Sequence, residues 1–145
     1  MAIKTYDPKA NVVTLGGLIL GGFAENKFLS VKRVTDTFSD QVGASGEVAR
    51  SKSNDRRGEI ELTTLASSAT NDALSALAIL DEQTGSGVGA FQLSDANGTT
   101  LVHAANAWIA RMPDTELAKE VGETNWKIRC DSVDIFRGGL VTGGV

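Results

Sequence analysis

The sequence predicts a mainly β fold: a β-sandwich or barrel of two packed antiparallel sheets, one flanking α-helix at about 71–82, and a long projecting hairpin loop at about 43–58. Three observations carry this. Glycine is frequent at 16 residues and proline scarce at 2, while β-branched residues recur in short runs between Gly, Asn and Asp clusters. One Ala- and Leu-rich segment interrupts that pattern. One long polar connection separates two well-patterned strands.

The elements follow in order. Asn11 to Leu15 and Leu18 to Leu20 flank Gly16-Gly17, the signature of a hairpin with a two-residue turn, and Gly21-Gly22 closes the second strand. Phe28 to Val34 and Thr37 to Val42 form a longer extended stretch with a break near Asp36. In Gly58 to Thr64, Ile60 and Leu62 face one way and Glu59, Glu61 and Thr63 the other, so one side meets a core and the other water. Asn71 to Glu82 is built of strong helix formers, with Thr70 or Asn71 as N-cap, Asp72 complementing the dipole and Gly85 at the C-terminal side. On that helix Ala73, Leu74, Leu77 and Leu80 share a face, and Ile79 points nearly opposite. Phe91 to Ser94 and Thr99 to Ala110 are joined by Asp95-Ala96-Asn97-Gly98, a hairpin signal. Trp126, Ile128 and Cys130 alternate with polar residues, and Val133 and Ile135 then continue on the opposite parity, as a bulge or a change of sheet would produce.

At 145 residues the chain is sized for one domain spanning 1–145. A domain of this length buries roughly 68–70% of its unfolded surface, enough to fold without a staple. Cys130 is the one cysteine, so no intramolecular disulfide can form, and it reads as a small buried hydrophobe in a reducing compartment. Met1 to Lys9 is polar and lacks the apolar region of a secretory signal, and no apolar run approaches the ~18 residues of a membrane span. Synthesis and folding in a cytoplasm, with no membrane partner, are therefore expected. The net charge of −4 weighs against a nucleic-acid binder. Charge is unevenly placed: Gly43 to Gly58 carries +2 and the remainder −6.

Catalytic signatures are missing. His103 is the one histidine and sits in the apolar run Leu101-Val102-His103-Ala104-Ala105, where a hydrogen-bonded structural role is expected. No Gly-x-Ser-x-Gly elbow occurs, and one His with one Cys makes no metal cluster. Gly85-Ser86-Gly87-Val88-Gly89 follows a helix and precedes a strand, the reverse of a phosphate loop. Glu59 and Glu61 would lie about 7 Å apart on one strand face, and with Asp131 and Asp134 they read as solvated faces rather than acid–base pairs. No catalytic residue, metal ligand or cofactor is assigned.

The polar connection Gly43 to Gly58 is the feature that points to function. Val48 and the alternating Arg50 and Lys52 favour an extended hairpin that projects from the body, with a disordered loop as the alternative. Such an arm could insert into a neighbouring copy, since polar, charged surface costs little to expose before assembly. The run Gly43-Ala44-Ser45-Gly46-Glu47-Val48 leading to Asn54-Asp55 resembles the tail tube proteins of contractile-tailed bacteriophages. So do Asn71-Asp72-Ala73-Leu74-Ser75-Ala76-Leu77, Asn97-Gly98-Thr99-Thr100-Leu101 and Ala107-Trp108-Ile109. Pro113-Asp114, Trp126-Lys127-Ile128-Arg129-Cys130 and Phe136-Arg137-Gly138-Gly139 continue the likeness, which runs in order from Tyr6-Asp7-Pro8-Lys9 to Gly139. Residues 140–145 have no place in it.

The resemblance implies hexameric rings stacked into a hollow tube, with a long hairpin loop bridging one ring to the next. It implies a virion protein assembled in the host bacterial cytoplasm, whose partners are the tail sheath, tape-measure, baseplate and tail-terminator proteins. Tube proteins of type VI secretion systems and of phage-tail-like injection particles are close alternatives. On this reading Glu47, Arg50, Lys52, Asp55, Arg56 and Arg57 make the inter-ring contact. Glu59 and Glu61 face a bore through which DNA passes without specific binding, since an acidic or neutral wall suits transit. Ile79 offers an outer contact to the sheath. The rival from another class is a small barrel-like binding module that uses the basic loop with Trp108 or Trp126.

Overall fold

The computed structural model describes residues 11–24, 28–95 and 98–138. The Tyr6 to Lys9 segment, the centre of the turn at Ala96-Asn97 and the tail 140–145 lie outside the described residues. Ten strands and one helix follow in the order β1 (Asn11–Leu15), β2 (Leu18–Leu20), β3 (Leu29–Arg33), β4 (Phe38–Val42), β5 (Val48–Lys52), β6 (Gly58–Leu65), α1 (Thr70–Thr84), β7 (Gly89–Asp95), β8 (Leu101–Arg111), β9 (Glu123–Cys130) and β10 (Val133–Phe136).

Eight strands form one antiparallel sheet in the order β2-β1-β7-β8-β9-β6-β3, with β10 also on β8, while β4 and β5 pair only with each other. The sheet curls on itself. Its two edges are joined by the chain leaving β2, where Leu65 N–H donates to Gly22 O (2.9 Å) and Ala24 N–H to Thr63 O (3.1 Å). Val13, Leu15 and Phe91 from one half of the sheet and Ile60, Leu62, Trp126 and Ile128 from the other share a single buried cluster. The packed layers expected from the sequence are thus two halves of one continuous sheet.

The parity change after Cys130 marks where the sheet bends. Pairing between β8 and the β9–β10 run continues in unchanged register from Ala107/Cys130 to Ala104/Val133. Ala104, Ala107, Cys130 and Val133 are all buried, while Ala105, Asn106 and Asp131 between them are exposed. Both strands therefore turn outward together along one line, where Asn106 Nδ2 donates to Asp131 Oδ2 (3.1 Å). On the other side of β8 the register with β7 shifts between Gly89 and Phe91, a bulge of β8 against β7. Ile135 continues the inward parity but is 39% exposed, because β10 has reached the end of the barrel.

The Gly16-Gly17 turn is as expected: both glycines have positive φ (59° and 86°), which a two-residue hairpin of this twist requires. Gly85 closes the helix in the left-handed conformation at φ 72°, its N–H bonded to Asp81 O. The helix start differs from expectation. Ala69 is the N-cap and makes no side-chain bond; Ser68 Oγ instead accepts from Thr70 N–H at 3.2 Å. Thr70 and Asn71 are turned toward the sheet. Thr70 Oγ1 donates to Gly21 O (2.8 Å) and accepts from Gly21 N–H (3.0 Å). The buried stripe is Thr70, Leu74 and Ala78, so Leu80 is 45% exposed rather than part of the core face, and Ile79 beside it is 46% exposed.

Candidate functional site

The polar connection is an arm. β3 and β6 pair from Leu29/Leu62 to Arg33/Gly58 inside the barrel. The same two chains then run on together: Val34 N–H donates to Arg57 O (3.0 Å) and Ser53 N–H to Thr37 O (2.7 Å), after which Phe38/Lys52 to Val42/Val48 pair as β4 and β5. One ribbon is therefore rooted in the sheet at one half and free at the other. Every residue from Val34 to Lys52 is exposed. At about 3.4 Å per residue the free half reaches roughly 30 Å beyond the barrel. Its tip is a tight turn, with Gly46 N–H on Gly43 O (3.0 Å), Gly43 N–H on Glu47 O (2.8 Å) and Gly46 at φ +87°.

Cross-strand partners share a face, so the arm has two unlike sides. One carries Phe38, Asp40, Val42, Val48, Arg50 and Lys52; the other carries Ser39, Gln41, Ala49 and Ser51. On the first, the Arg50 guanidinium lies 4.3 Å from the Phe38 ring centroid. Val42 and Val48 are 69% and 66% exposed. An isolated hairpin with no core behind it is marginally stable in water, and this one presents its apolar side chains to solvent.

Of the six residues expected to make contacts, Glu47, Arg50 and Lys52 lie on the free arm, whereas Asp55, Arg56 and Arg57 form its root. Asp55 Oδ1 accepts from Arg57 N–H (3.1 Å) and Nε (2.9 Å), and its Oδ2 accepts from Nη2 (2.9 Å). These bonds hold the Asp55 carboxyl at a pKa of about 2 and raise that of Arg57. Arg56 pairs with the Asp134 carboxylate and donates from Nε to Ser132 Oγ (3.2 Å). Arg33 Nη2 donates to Val133 O (2.8 Å). The root is stitched to β10, so the arm leaves the body from a fixed base.

Glu59 departs from the expected solvated face. It is 8% exposed, with Lys127 Nζ at 3.3 Å and Arg129 Nη2 at 3.7 Å. The reason is strand order: β9 lies beside β6, with Arg129 directly across from Glu59 and Lys127 across from Glu61, and Lys32 of β3 flanks Glu59 on its other side. Of the two only Glu61 is exposed, and the strand face around Glu59 is balanced by Lys32, Lys127 and Arg129. Trp126 is 1% exposed and its Nε1–H donates to Asn71 Oδ1 (2.9 Å), which removes it from any aromatic binding platform. His103 is exposed on the outer face across from Asp134, not a hydrogen-bonded core residue. Among the described residues no cluster of His, Cys, Asp and Glu could hold a metal, and no helix is long and apolar enough to cross a membrane.

A second projecting feature escaped the sequence reading. The β8–β9 connection from Met112 to Gly122 is exposed except at Pro113, with Leu117 95% and Val121 71% exposed. Its length and acidity were available signals. Together with the outer face of β6 and β9 and the start of α1 it frames a groove of about 910 Å³.

The family model described as bacteriophage PhiTE tail tube protein matches residues 6–138. The chain belongs to this tail tube family. It is thus a structural component of a phage tail, part of the virion, and not an enzyme. This tail tube family member is 28% identical over 144 residues to structural protein ORF10 of Pseudomonas phage KPP10, covering 94% of this chain and 83% of the relative. Solved structures share the fold at low identity. A chain from the anti-feeding prophage tube-terminating cap aligns with a TM-score of 0.61 at 14% identity, over 94% of each chain. One from the sheath/tube terminator of the extracellular contractile injection system PVC gives 0.61 at 12%, over 92% of this chain and 97% of that one. One from the PVC sheath–tube complex in the extended state gives 0.59 at 11%, over 91% of each.

Proposed function

We propose that this chain is the repeating subunit of a contractile phage's tail tube. Six copies close into a ring, and rings stack through the projecting arm into a hollow conduit for DNA within a sheath. The observation that carries this reading is the ribbon shared by β3–β6 and β4–β5: rooted by Asp55, Arg56 and Arg57, and fully exposed from Val34 to Lys52. A rigid root with an unburied two-faced tip is suited to reach across a subunit boundary. Exposed ion pairs contribute about 0.2–1 kcal/mol each, so Glu47, Arg50 and Lys52 would set register while Phe38, Val42 and Val48 supply the buried area. Asp55, Arg56 and Arg57 would act indirectly, by aiming the arm.

Glu59 and Glu61 would not make an acidic bore wall, because Glu59 is neutralised by Lys127 and Arg129 and Lys32 shares its face. Ile79 and Leu80, adjacent and about half exposed on α1, are the apolar surface offered to a sheath. The sheath–tube and terminator assemblies that contain similar folds support sheath and terminator partners here, and tape-measure and baseplate proteins would meet the tube at its ends. Assembly would take place in the host cytoplasm. The test is excision of the arm. Thr37 and Ser53 are already hydrogen-bonded, so replacing Phe38 to Lys52 with Asn-Gly should leave a folded monomer that forms no tubes. Normal tubes from that variant would refute the arm's role.

A further inference from the structure

We propose that the groove beneath the Met112 to Gly122 loop is the acceptor for the arm of a second copy of this chain. Arg50 and Lys52 would face Glu116 and Glu120, and Val48 would pack toward Leu117. This rests on the tube reading and adds where the arm lands.

Position is the first argument. The arm leaves β6 at Gly58, while the groove lies at the other end of that strand, against Thr63, Ala66 and the start of α1. Donor and acceptor surfaces thus sit at opposite ends of one ribbon. A surface at one pole that fits a different surface at the other is a heterologous contact, and repeating it builds an open stack rather than a closed pair.

Charge is the second. Among the described residues, Arg50 and Lys52 have no ion pair, and neither do Glu116, Glu120 and Glu123 at the groove. The basic groups lining the groove are engaged locally, Arg111 with Asp114 at 3.6 Å and Lys127 with Glu59 at 3.3 Å. The acceptor therefore has an acidic excess where the arm has two cations outside any ion pair, one of them resting on the Phe38 ring. Asp40 shares the arm's docking face, but on β4, so the positive edge belongs to β5. Apolar surface is the third argument. Leu117 is 95% exposed and Met112 37%, opposite a donor whose Val42 and Val48 are 69% and 66% exposed. A seated arm would cover both sets. It would also cover Glu61, which lines the groove floor.

Cross-linking in the full chain tests this. Cys130 is 1% exposed, so cysteines introduced by Val48→Cys and Leu117→Cys would be the reactive pair. Treated with a short bis-maleimide, the double variant should run as a ladder of covalent multimers, an equimolar mixture of the two single variants should stop at dimers, and each single variant alone should stay monomeric. Monomers from the assembled double variant would overturn the proposal. A second arm uses charge: R50E/K52E should lose assembly, and E116K/E120K added to it should restore tubes. Failure of that restoration in a folded chain would also count against the groove. If the arm-excised chain fails to assemble but neither test succeeds, the tube reading stands and the acceptor assignment falls; if the excised chain still forms tubes, the arm's stacking role falls with it.

Discussion

Asn71 joins the helix to the sheet, and removing its amide should be among the costliest single polar changes in the protein. Its Oδ1 accepts from Thr64 Oγ1 (2.6 Å) and Trp126 Nε1 (2.9 Å). Its Nδ2 donates to Leu65 O (3.0 Å) and Ala66 O (3.2 Å). These four bonds use the full capacity of the amide. Asn71→Ala leaves two donors without partners, on Thr64 at 0% and Trp126 at 1% exposure. Each stranded buried group costs about 1–3 kcal/mol, so a loss of about 3 kcal/mol is expected. For a chain of this size that is roughly 6–12 °C in Tm. Urea unfolding at a concentration where the chain sediments as a monomer would measure it. Asn71→Asp keeps the acceptors but gives up both donors, and should fall between wild type and Asn71→Ala. A loss below about 0.5 kcal/mol, the range of an inert surface change, would refute the hub role.

Three further outcomes are expected. Gly58→Ala would place a Cβ 2.5 Å from Val133 Cγ1 and 2.8 Å from Cys130 Sγ; overpacking of this kind costs about 1–3 kcal/mol, and an unchanged urea midpoint would contradict it. The Asp55 carboxyl, held at a pKa of about 2 by Arg57, is lower in the folded chain than in the unfolded one, so its contribution is complete above the ordinary carboxylate range and lost only as pH falls toward 2. A carboxyl NMR titration should place its midpoint there, and a midpoint near 4 would show the root clamp is not formed. Burial raises the Cys130 pKa, so the native chain should resist a thiol reagent at neutral pH and react once unfolded; rapid native labelling would mean the β6–β9 seam opens.

What the sequence disclosed was whatever depends on local pattern. The alternation of Ile60 and Leu62 with polar neighbours located β6, Gly16-Gly17 located the β1–β2 turn, and the parity flip between Cys130 and Val133 marked a bend. The arm was visible because Val48, Arg50 and Lys52 alternate inside a polar run. What stayed hidden depends on which strands become neighbours. Glu59 looked solvated until β9 brought Lys127 and Arg129 beside it. Asn71 looked like a helix cap because nothing local announces that Trp126 will point at it. Leu80 shares a helical stripe with Leu77, yet Leu77 packs on the core and Leu80 is 45% exposed, and helix periodicity cannot report where a neighbour stops. The continuity of β3–β6 with β4–β5 is likewise a matter of register between distant segments, invisible in either alone.

The central claim is that this chain works by stacking as rings, and electron microscopy of the purified full-length protein tests it most directly. The expected result is hollow tubes of uniform diameter whose end views average to six-fold rings. Monodisperse monomers at the same concentration, or rings that never stack, would contradict it.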